Sequence, residues 1–456
     1  MITMEKIVAY SKDKGFIFPG SEIYGGLANT WDYGPIGVEL KNNVKKFWWK
    51  KFVQESENSF GVDAAILMNP TVWEASGHIA SFTDPLMDCK ECKTRCRADN
   101  LIKEFTKGEI NPDSFTTEQM EAFIKDNKIP CPNCKKHNFT SIRQFNLMFE
   151  TNRGVVKESQ NTIYLRPETA QGQYVNFLNV QRSLRLKVPF GIAQIGKSFR
   201  NEITPGNFTF RTIEFEQMEH QLFCKKGEDE KFYEEYKQKS MEFYLGLGIK
   251  KENLKFKDHE KLAHYAKAAC DVYYNFPFGF DEVNGIHNRT DFDLTRHQEY
   301  SGKNLQYLDP VTNEKYLPYV VEASYGADRI TLAVLTEAYD VETLEDGTER
   351  EVMHFAPHIA PFKVAVLPLM KKEHADKARE VYARLTKHFR AFYDETGSIG
   401  KRYRRQDGIG TPYCVTIDFD TLEKGTVTVR DRDTMKQDTI NLDDLVNYLN
   451  EKIGFN

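Results

Sequence analysis

Long apolar runs are missing from this sequence. No segment approaches the ~20 consecutive apolar residues of a membrane-spanning helix, and the opening residues MITMEKIVAYSKDKGF contain no apolar stretch of signal-peptide length. We therefore expect a cytoplasmic protein without a membrane partner. In that reducing compartment, the eight cysteines indicate thiols or metal ligands rather than a disulfide framework.

A strong excess of charge of one sign is missing too. The 62 lysines and arginines are nearly balanced by 67 aspartates and glutamates, which gives a formal net charge of −5. This balance excludes a chain that is basic throughout, such as a histone-like nucleic-acid coat, but it leaves room for a local basic face. Low-complexity tracts and internal repeats are also absent. The length of 456 residues and the hydrophobic content of 40% are typical of a globular protein with about three domains.

Changes in composition predict how the chain is divided. Two CxxC pairs bracket a polar, helix-prone segment, and the aromatic-rich composition returns at Phe145. We therefore expect residues 89–143 to be an insertion that separates residues 1–88 from residues 144–355 of one larger domain. A second boundary falls at the segment APHIAP, so residues 356–456 are expected to form a C-terminal domain.

The larger domain is expected to contain an antiparallel sheet flanked by helices. Segments 191–195 and 209–223 are strand-like, and residues 204–207 between them are typical of a hairpin turn. The C-terminal domain alternates in type, which predicts a small α/β unit. Its expected elements are a strand at 363–369, a helix at 373–393, strands at 413–417 and 426–430, and a final helix from near Asn441 with Asp443 and Asp444 in its first turn. These patterns predict the α+β fold class.

One helix near the start of the chain carries a wide apolar face. Its apolar residues recur at spacings of three and four, at Ile36, Leu40, Val44, Phe47, Trp48 and Phe52. This spacing predicts one continuous helical face. Such a face either packs on the protein's own core or, given its aromatic content, forms a subunit interface. The sequence alone leaves both interpretations open.

Four cysteines have the arrangement of zinc ligands. Each of the pairs Cys89/Cys92 and Cys131/Cys134 places two sulfurs within reach of one ion, and two such pairs close a tetrahedral site. Four thiolates leave no open position, so we expect a structural rather than a catalytic zinc. Reduced thiols without a metal are the alternative, and Cys96 is a spare that could replace one ligand.

Arginines and carboxylates alternate along the predicted hairpin. The segment FRNE is followed by Phe210-Arg211 and by FEQME, and strand alternation places Arg211, Gln217 and Glu219 on one face. Arginine suits phosphate groups and carboxylates suit an ammonium group, so the hairpin predicts a binding cleft. A ladder of salt bridges on a solvent-facing sheet is the alternative.

A third segment, from Leu317 to Leu335, predicts a strand, a glycine turn and a helix. Arg329 then lies in the first turn of that helix, where the helix dipole disfavours a cation. The position becomes favourable once an anion binds there, which predicts an anion site. An ordinary solvent-exposed arginine is the alternative.

Taken together, these segments resemble the three signature motifs of the class II aminoacyl-tRNA synthetases, and among them the homodimeric, glycine-specific branch. The helix after Gly34-Pro35 resembles motif 1, residues 200–219 resemble motif 2, and residues 322–329 resemble motif 3. The segment RPETAQG at 166–172 resembles an amino-acid-binding segment, and residues 96–99 resemble a further substrate-contact segment. The resemblance runs from about Lys12 to the C-terminus.

The resemblance implies that ATP binds together with Mg²⁺ and that two arginines are catalytic. Arg200 is expected to hold the α-phosphate, and Arg329 the terminal phosphate of a bent ATP. Phe215 is expected to stack on the adenine, and Glu202 to contact its edge. The implied ATP-contacting set is Arg200, Asn201, Glu202, Phe210, Arg211, Phe215, Glu282, Val283, Gly326 and Arg329.

The resemblance also implies a glycine pocket in which carboxylates hold the ammonium group and fill the space that a methyl group would need. Favourable contacts alone separate two substrates that differ by one methyl group by only ~1–3 kcal/mol. Steric exclusion of the larger substrate is therefore the more effective means of selecting glycine. The implied set is Arg97, Glu168, Phe215, Glu216, Gln217, Glu219, Glu322 and Ser324.

The C-terminal domain resembles an anticodon-binding domain. Its basic cluster of Lys401, Arg402, Arg404 and Arg405 is expected to contact tRNA(Gly). A second copy of the chain is the other implied partner. Two rival functions remain: a synthetase for threonine, proline or histidine, which the glutamate-rich pocket disfavours, and a non-catalytic nucleic-acid-binding relative, which the retained arginines disfavour.

Overall fold

The computed structural model describes residues 2–107, 109–154, 161–202, 206–259, 262 and 266–454. The helices are α1 Met4–Lys14, α2 Gly37–Trp49, α3 Thr71–Ala75, α4 His78–Ser81, α5 Ala98–Phe105, α6 Thr117–Asp126, α7 Ala170–Val175, α8 Phe177–Leu184, α9 Asp229–Gly246, α10 Phe292–Ser301, α11 Ala327–Ala338, α12 Lys371–Leu385, α13 Ile399–Ile409, α14 Phe419–Lys424 and α15 Leu445–Ile453. Among these helices, none combines the length and the apolar character that crossing a membrane requires.

The strands are β1 Ile17–Pro19, β2 Trp31–Tyr33, β3 Ser59–Gly61, β4 Thr83–Asp88, β5 Arg95–Arg97, β6 Arg143–Asn146, β7 Phe149–Asn152, β8 Thr162–Leu165, β9 Phe190–Phe199, β10 Glu214–Cys224, β11 Leu254–Asp258, β12 Ala268–Phe276, β13 Gly279–Thr290, β14 Tyr307–Leu308, β15 Lys315–Tyr316, β16 Tyr319–Gly326, β17 Tyr339–Thr343, β18 Glu349–Met353, β19 Val364–Pro368, β20 Ala391–Tyr393, β21 Tyr413–Ile417, β22 Thr426–Asp431 and β23 Gln437–Asn441.

A seven-stranded sheet forms the centre of the larger domain. Its spatial order is β11-β12-β13-β16-β10-β9-β3, and every neighbouring pair is antiparallel except β3 with β9. The expectation of an antiparallel sheet is therefore confirmed. Of the predicted hairpin turn, Thr204 and Pro205 lie outside the described residues. The second strand begins at Glu214 rather than Thr209, because residues 208–210 form a buried 3-10 turn, and Arg211 therefore lies in a loop.

The apolar face of α2 packs on the protein's own core. Ile36, Leu40, Val44, Phe47, Trp48 and Phe52 are all buried within the single chain. The helix continues through a π-helical turn at Lys50–Gln54, which carries Phe52 inward. The packing interpretation is confirmed for these six side chains.

The C-terminal α/β unit is confirmed in type and corrected in its boundaries. Its sheet has the order β20-β19-β21-β22-β23, with β19 parallel to β20 and β21. Helix α12 ends at Leu385, and Ala391–Tyr393 form the short strand β20, in which Ala391 is buried and pairs with β19. The last helix begins at Leu445, so Asp444 is its N-cap and Asp443 precedes it.

The cysteine-containing segment has a small core of its own. Strands β5, β4 and β6 form one sheet in that spatial order, and α5 and α6 pack beside it. Met87, Ile102, Met120 and Ile124 are buried together there. Cys96 belongs to this apolar cluster and is only 5% exposed. It is therefore not one of the four thiols that lie together, which are those of Cys89, Cys92, Cys131 and Cys134.

A buried lysine joins α2 to the first turn of α11. Lys41 Nζ lies 2.7 Å from Asp328 Oδ1 and 3.2 Å from Glu216 Oε2. Asp328 also accepts hydrogen bonds from the Tyr33 hydroxyl at 2.8 Å and from the Glu216 backbone N–H at 2.7 Å. Because buried charges are costly unless paired, this cluster fixes how the motif 1 helix meets the sheet.

We expect Lys41→Met to lower the free energy of unfolding by about 3 kcal/mol, because it leaves the Asp328 carboxylate buried without its cation. Chemical denaturation followed by circular dichroism measures the change. Lys45→Met is the matched control, since Lys45 bonds the same Glu216 from a more exposed position and should cost less than about 1 kcal/mol. Equal losses for the two variants would contradict the expectation.

Candidate active site

A cavity of about 380 Å³ lies over the central sheet where β13, β16 and β10 run side by side. Register decides which side chains face it, because alternate residues share a face. Glu219 pairs with Ser324 and Gln217 with Gly326, while His287 pairs with Glu322. The cavity gathers most of the expected residues, namely Glu168, Arg200, Glu202, Phe210, Arg211, Phe215, Glu216, Gln217, Glu219, Glu282, Val283, Glu322, Ser324, Gly326 and Arg329.

Glu219 lies at the acidic end of the cavity and accepts three side-chain hydrogen bonds. Ser324 Oγ donates to it at 2.6 Å and Gln217 Nε2 at 3.2 Å, and the Thr169 hydroxyl is the third donor. Burial, together with the carboxylates of Glu322 and Glu168, raises the pKa of Glu219 to about 7. This carboxylate therefore exchanges its proton near neutrality.

The two neighbouring carboxylates are held ionised. Burial would raise the pKa of Glu322, but Arg289 and His287 reverse the shift and hold that pKa at about 2. His287 Nδ1 lies 2.9 Å from Glu322 Oε1, and Arg289 Nη1 lies 3.4 Å from it. Burial would also raise the pKa of Glu168. His78 Nε2 lies 3.3 Å from Glu168 Oε2 and brings that pKa below its ordinary value instead. Three carboxylates thus converge on one small space.

Two arginines form the basic end. Arg200 directly follows β9, and its guanidinium lies between the rings of Phe82 and Phe215, at 5.3 and 5.2 Å from their centroids. Arg329 lies in the first turn of α11, as expected. Its guanidinium is 4.4 Å from the Phe210 ring centroid and 3.2 Å from Glu282 Oε2. Both cations are thus placed by aromatic faces.

Three other expected residues are engaged with protein partners at the cavity wall. Arg211 Nη1 lies 3.4 Å from Glu202 Oε2, so these two form a pair on the loop before β10. The Glu216 carboxylate bonds Lys45 and Lys41. Glu216 therefore belongs to the cluster around Lys41 as much as to the cavity.

Three expected contacts are placed elsewhere. The Asn201 N–H donates to the Leu147 carbonyl at 2.9 Å, and Asn201 is not part of the cavity wall. Arg97 is paired with Asp84 at 3.0 Å and Asp99 at 2.6 Å, and it too lies outside that wall. Arg402 is buried and donates to the carbonyls of Pro368 and Gly397, which corrects its expected place in the basic cluster suited to phosphate contacts.

The sequence interpretation missed His78, His287 and Arg289, which also line the cavity. The alternation within β13 could have identified two of them, because His287 and Arg289 share a face with Gly285. His78 begins the short helix α4, where no periodicity marks it.

The four expected cysteines meet outside the cavity. Their sulfurs all lie within 4.8 Å of one another, with Cys89 and Cys134 at 3.5 Å and Cys92 and Cys131 at 3.6 Å. Tetrahedral zinc would separate its sulfur ligands by about 3.8 Å. Each pair sits on a similar turn that ends in a left-handed lysine, Lys93 at φ 60° and Lys135 at φ 61°. The site fits zinc.

The cavity can therefore bind a polyanion beside a small cation. Arginine forks bind phosphate oxygens, the half-buried Phe215 ring can accept a flat ring beside Arg200, and the three neighbouring carboxylates attract an ammonium group. A reaction between two substrates bound side by side in this way can be accelerated by positioning and charge stabilisation, without a covalent nucleophile from the protein.

Comparison with known proteins identifies the family. Residues 149–339 match the tRNA synthetase class II core domain (G, H, P, S and T), and residues 363–452 match the anticodon binding domain. The chain is 61% identical to a glycine–tRNA ligase of Clostridium kluyveri over 99% of both chains. It is 60% identical to those of Clostridium tetani, over 99% of each chain, and Geobacillus kaustophilus, over 100% of each. The expected resemblance and fold class are confirmed, and the chain belongs to the glycine–tRNA ligase family of class II aminoacyl-tRNA synthetases.

Proposed function

We propose that this protein activates glycine with ATP to glycyl-adenylate and transfers glycine to the 3′ end of tRNA(Gly), releasing AMP and pyrophosphate. The observation that carries the proposal is the single cavity in which Arg200 and Arg329 face three carboxylates. The membership of the family supports the same reaction. Activity toward threonine, proline or histidine, whose side chains are larger, is disfavoured by the same acidic space.

ATP binds at the basic end in this proposal. Arg200 holds the α-phosphate while a glycine carboxylate oxygen attacks its phosphorus and pyrophosphate leaves. Arg329 holds the terminal phosphate at the α11 N-terminus, where backbone N–H groups also favour an anion. Phe215 stacks on the adenine, and Glu202 contacts its edge. Magnesium, bound with ATP, neutralises phosphate charge.

Glycine binds at the acidic end. Its ammonium group is held by Glu168, Glu219 and Glu322, and Ser324 orients Glu219 through their hydrogen bond. Because these side chains also occupy the space beside the α-carbon, an added methyl group meets a polar wall. In the second step, the 3′-terminal ribose hydroxyl of tRNA attacks the adenylate carbonyl, and AMP leaves.

The remaining assignments concern organisation and partners. We assign residues 1–88 and 144–355 to the catalytic domain, 89–143 to the insertion and 356–456 to the anticodon-binding domain. Lys401, Arg404 and Arg405 line a second cavity there, which supports contact with tRNA(Gly). A cytoplasmic homodimer is the proposed state. Ile23, Tyr24 and Leu27 are at least 64% exposed and give a second copy an apolar surface to cover.

Glycine-dependent exchange between ATP and pyrophosphate tests the reaction. We expect exchange with glycine and not with alanine, and we expect Arg329→Ala to lower its rate by about 10²-fold because a transition-state donor is lost. Arg182→Ala is the matched control, since Arg182 is an exposed arginine of α8. Exchange that persists in Arg329→Ala would refute the role of Arg329, and wild-type exchange with another amino acid would refute the substrate.

The raised pKa of Glu219 predicts the pH dependence of glycine use. Below about 7 this carboxyl group takes up a proton and loses its attraction for an ammonium group, so kcat/KM for glycine should fall as pH decreases through that value. Glu219→Gln should have a low kcat/KM without that inflection. A variant that retained the wild-type pH profile would assign the titration to another group.

The four cysteines are proposed to hold one structural zinc. Metal analysis of the purified protein should find about one zinc per chain, because four thiolates complete a tetrahedral site. Cys131→Ser should lose the metal and lower the thermal stability of the insertion. Cys96→Ser should keep it, since Cys96 lies in the apolar cluster. Metal-free protein with unchanged stability would contradict the assignment.

A further inference from the structure

A buried ion network joins the hairpin β17–β18 to the C-terminal sheet and its helix α13. Four of its members are the hairpin residues Glu342 and Arg350 and the C-terminal residues Asp407 and Arg430. Arg350 Nη1 lies 3.5 Å from Asp407 Oδ2, and both side chains are fully buried. Arg430 donates to the two oxygens of Asp407 at 2.8 and 3.1 Å.

The hairpin and the C-terminal unit are further tied through Arg432, the fifth member of the ion network. Arg350 Nη1 donates to the Arg432 carbonyl at 3.0 Å. The Arg432 guanidinium donates to the carbonyls of Gly410 and Phe355, each at 2.8 Å. Arg350 Nε lies 2.9 Å from Glu342 Oε2 without the alignment of a hydrogen bond, so that contact is an ion pair only.

Such a network fixes geometry more than it adds stability. The free-energy cost of removing two charges from water is about as large as the attraction that a buried ion pair gains. Separating the pair is costly, because it leaves a buried charge without its partner. Sliding α13 along the hairpin would separate Asp407 from Arg350. The ion network therefore permits one relative placement of the two parts.

The two ends of the ion network lead to the two sites of the proposed reaction. Strand β17 begins at Tyr339, directly after α11, whose first turn carries Arg329. Helix α13, which carries Asp407, also carries Lys401 and Arg404 of the second cavity. Arg404 Nη1 lies 3.2 Å from the same Asp407 oxygen that Arg350 faces. The hairpin is thus a structural link between the ATP-binding arginine and the basic helix, beside the buried hydrogen bond that Tyr10 of α1 donates to the Gly408 carbonyl of α13 at 2.7 Å.

We propose that Arg350 is a positioning residue for the transfer step: it holds α13 in register with α11, so that a tRNA bound at the basic helix places its 3′ end in the active-site cavity. The inference rests on the proposed function. Amino-acid activation involves the cavity alone and does not depend on Arg350. Transfer depends on it, because a misplacement of about 1 Å can cost about 10²-fold in rate.

The test compares two activities of the full-length Arg350→Met variant, which keeps the stem and removes the charge. Exchange between ATP and pyrophosphate with glycine, measured without tRNA, should remain at the wild-type rate. Charging of full-length tRNA(Gly) should fall by at least about tenfold, mainly in kcat, because the contacts of α13 with tRNA are left in place. Arg379→Met, an exposed arginine of α12 paired with Glu395, is the matched control and should leave both rates unchanged.

A merely structural role would lower both activities by one factor, and that result, or an unchanged ratio of charging to exchange, would overturn the proposal. Should Arg350→Met fold poorly, Glu342→Gln removes the other charge of the hairpin pair and should shift the ratio in the same direction. Failure of the wild-type protein to catalyse glycine-dependent exchange would refute the proposed function instead, so the two failures are distinguishable.

Discussion

The pairing register of β10 with β16 is the constraint on which the active site depends. Glu219 lies opposite Ser324, and Gln217 opposite Gly326. A slip of one residue would turn the whole polar set to the apolar side of the sheet. Burial specifies this register strongly, because Met218 and Tyr325 between those residues are completely buried on the other face. The same core that stabilises the sheet therefore positions the carboxylates.

The active site divides its charge between two ends, and each end has a different means of support. The carboxylates are stabilised by hydrogen bonds and by His287, Arg289 and His78 behind them, so that like charges are tolerated at close range. The arginines are held by aromatic faces and by carbonyl oxygens, and Arg329 is also paired with the Glu282 carboxylate. This difference suits substrates that arrive with opposite charges.

The sequence predicted the antiparallel sheet, the helix that begins before Arg329 and most of the cavity, because each depends on local periodicity or on a recognisable motif. It could not predict contacts that depend on distant pairing. From the sequence, Arg402 is expected to be a surface cation beside three others, yet it is buried and donates to carbonyls at the end of β19 and in the loop before α13. Arg97 was expected at the substrate, but two aspartates, one on the neighbouring strand, engage it. His78 could not be found, because α4 is a single turn of four residues and is too short to show a periodic pattern.

The insertion at 89–143 is not an independent appendage. Its strand β5 pairs with β4, which precedes the insertion and begins immediately after Phe82, whose ring packs on the Arg200 guanidinium. Arg97, at the end of β5, is bonded to Asp84 two residues further along that strand. The segment that carries the four thiols is therefore joined through β4 to the aromatic ring that packs on Arg200, so the cysteine cluster and the basic end of the cavity share one strand as their support.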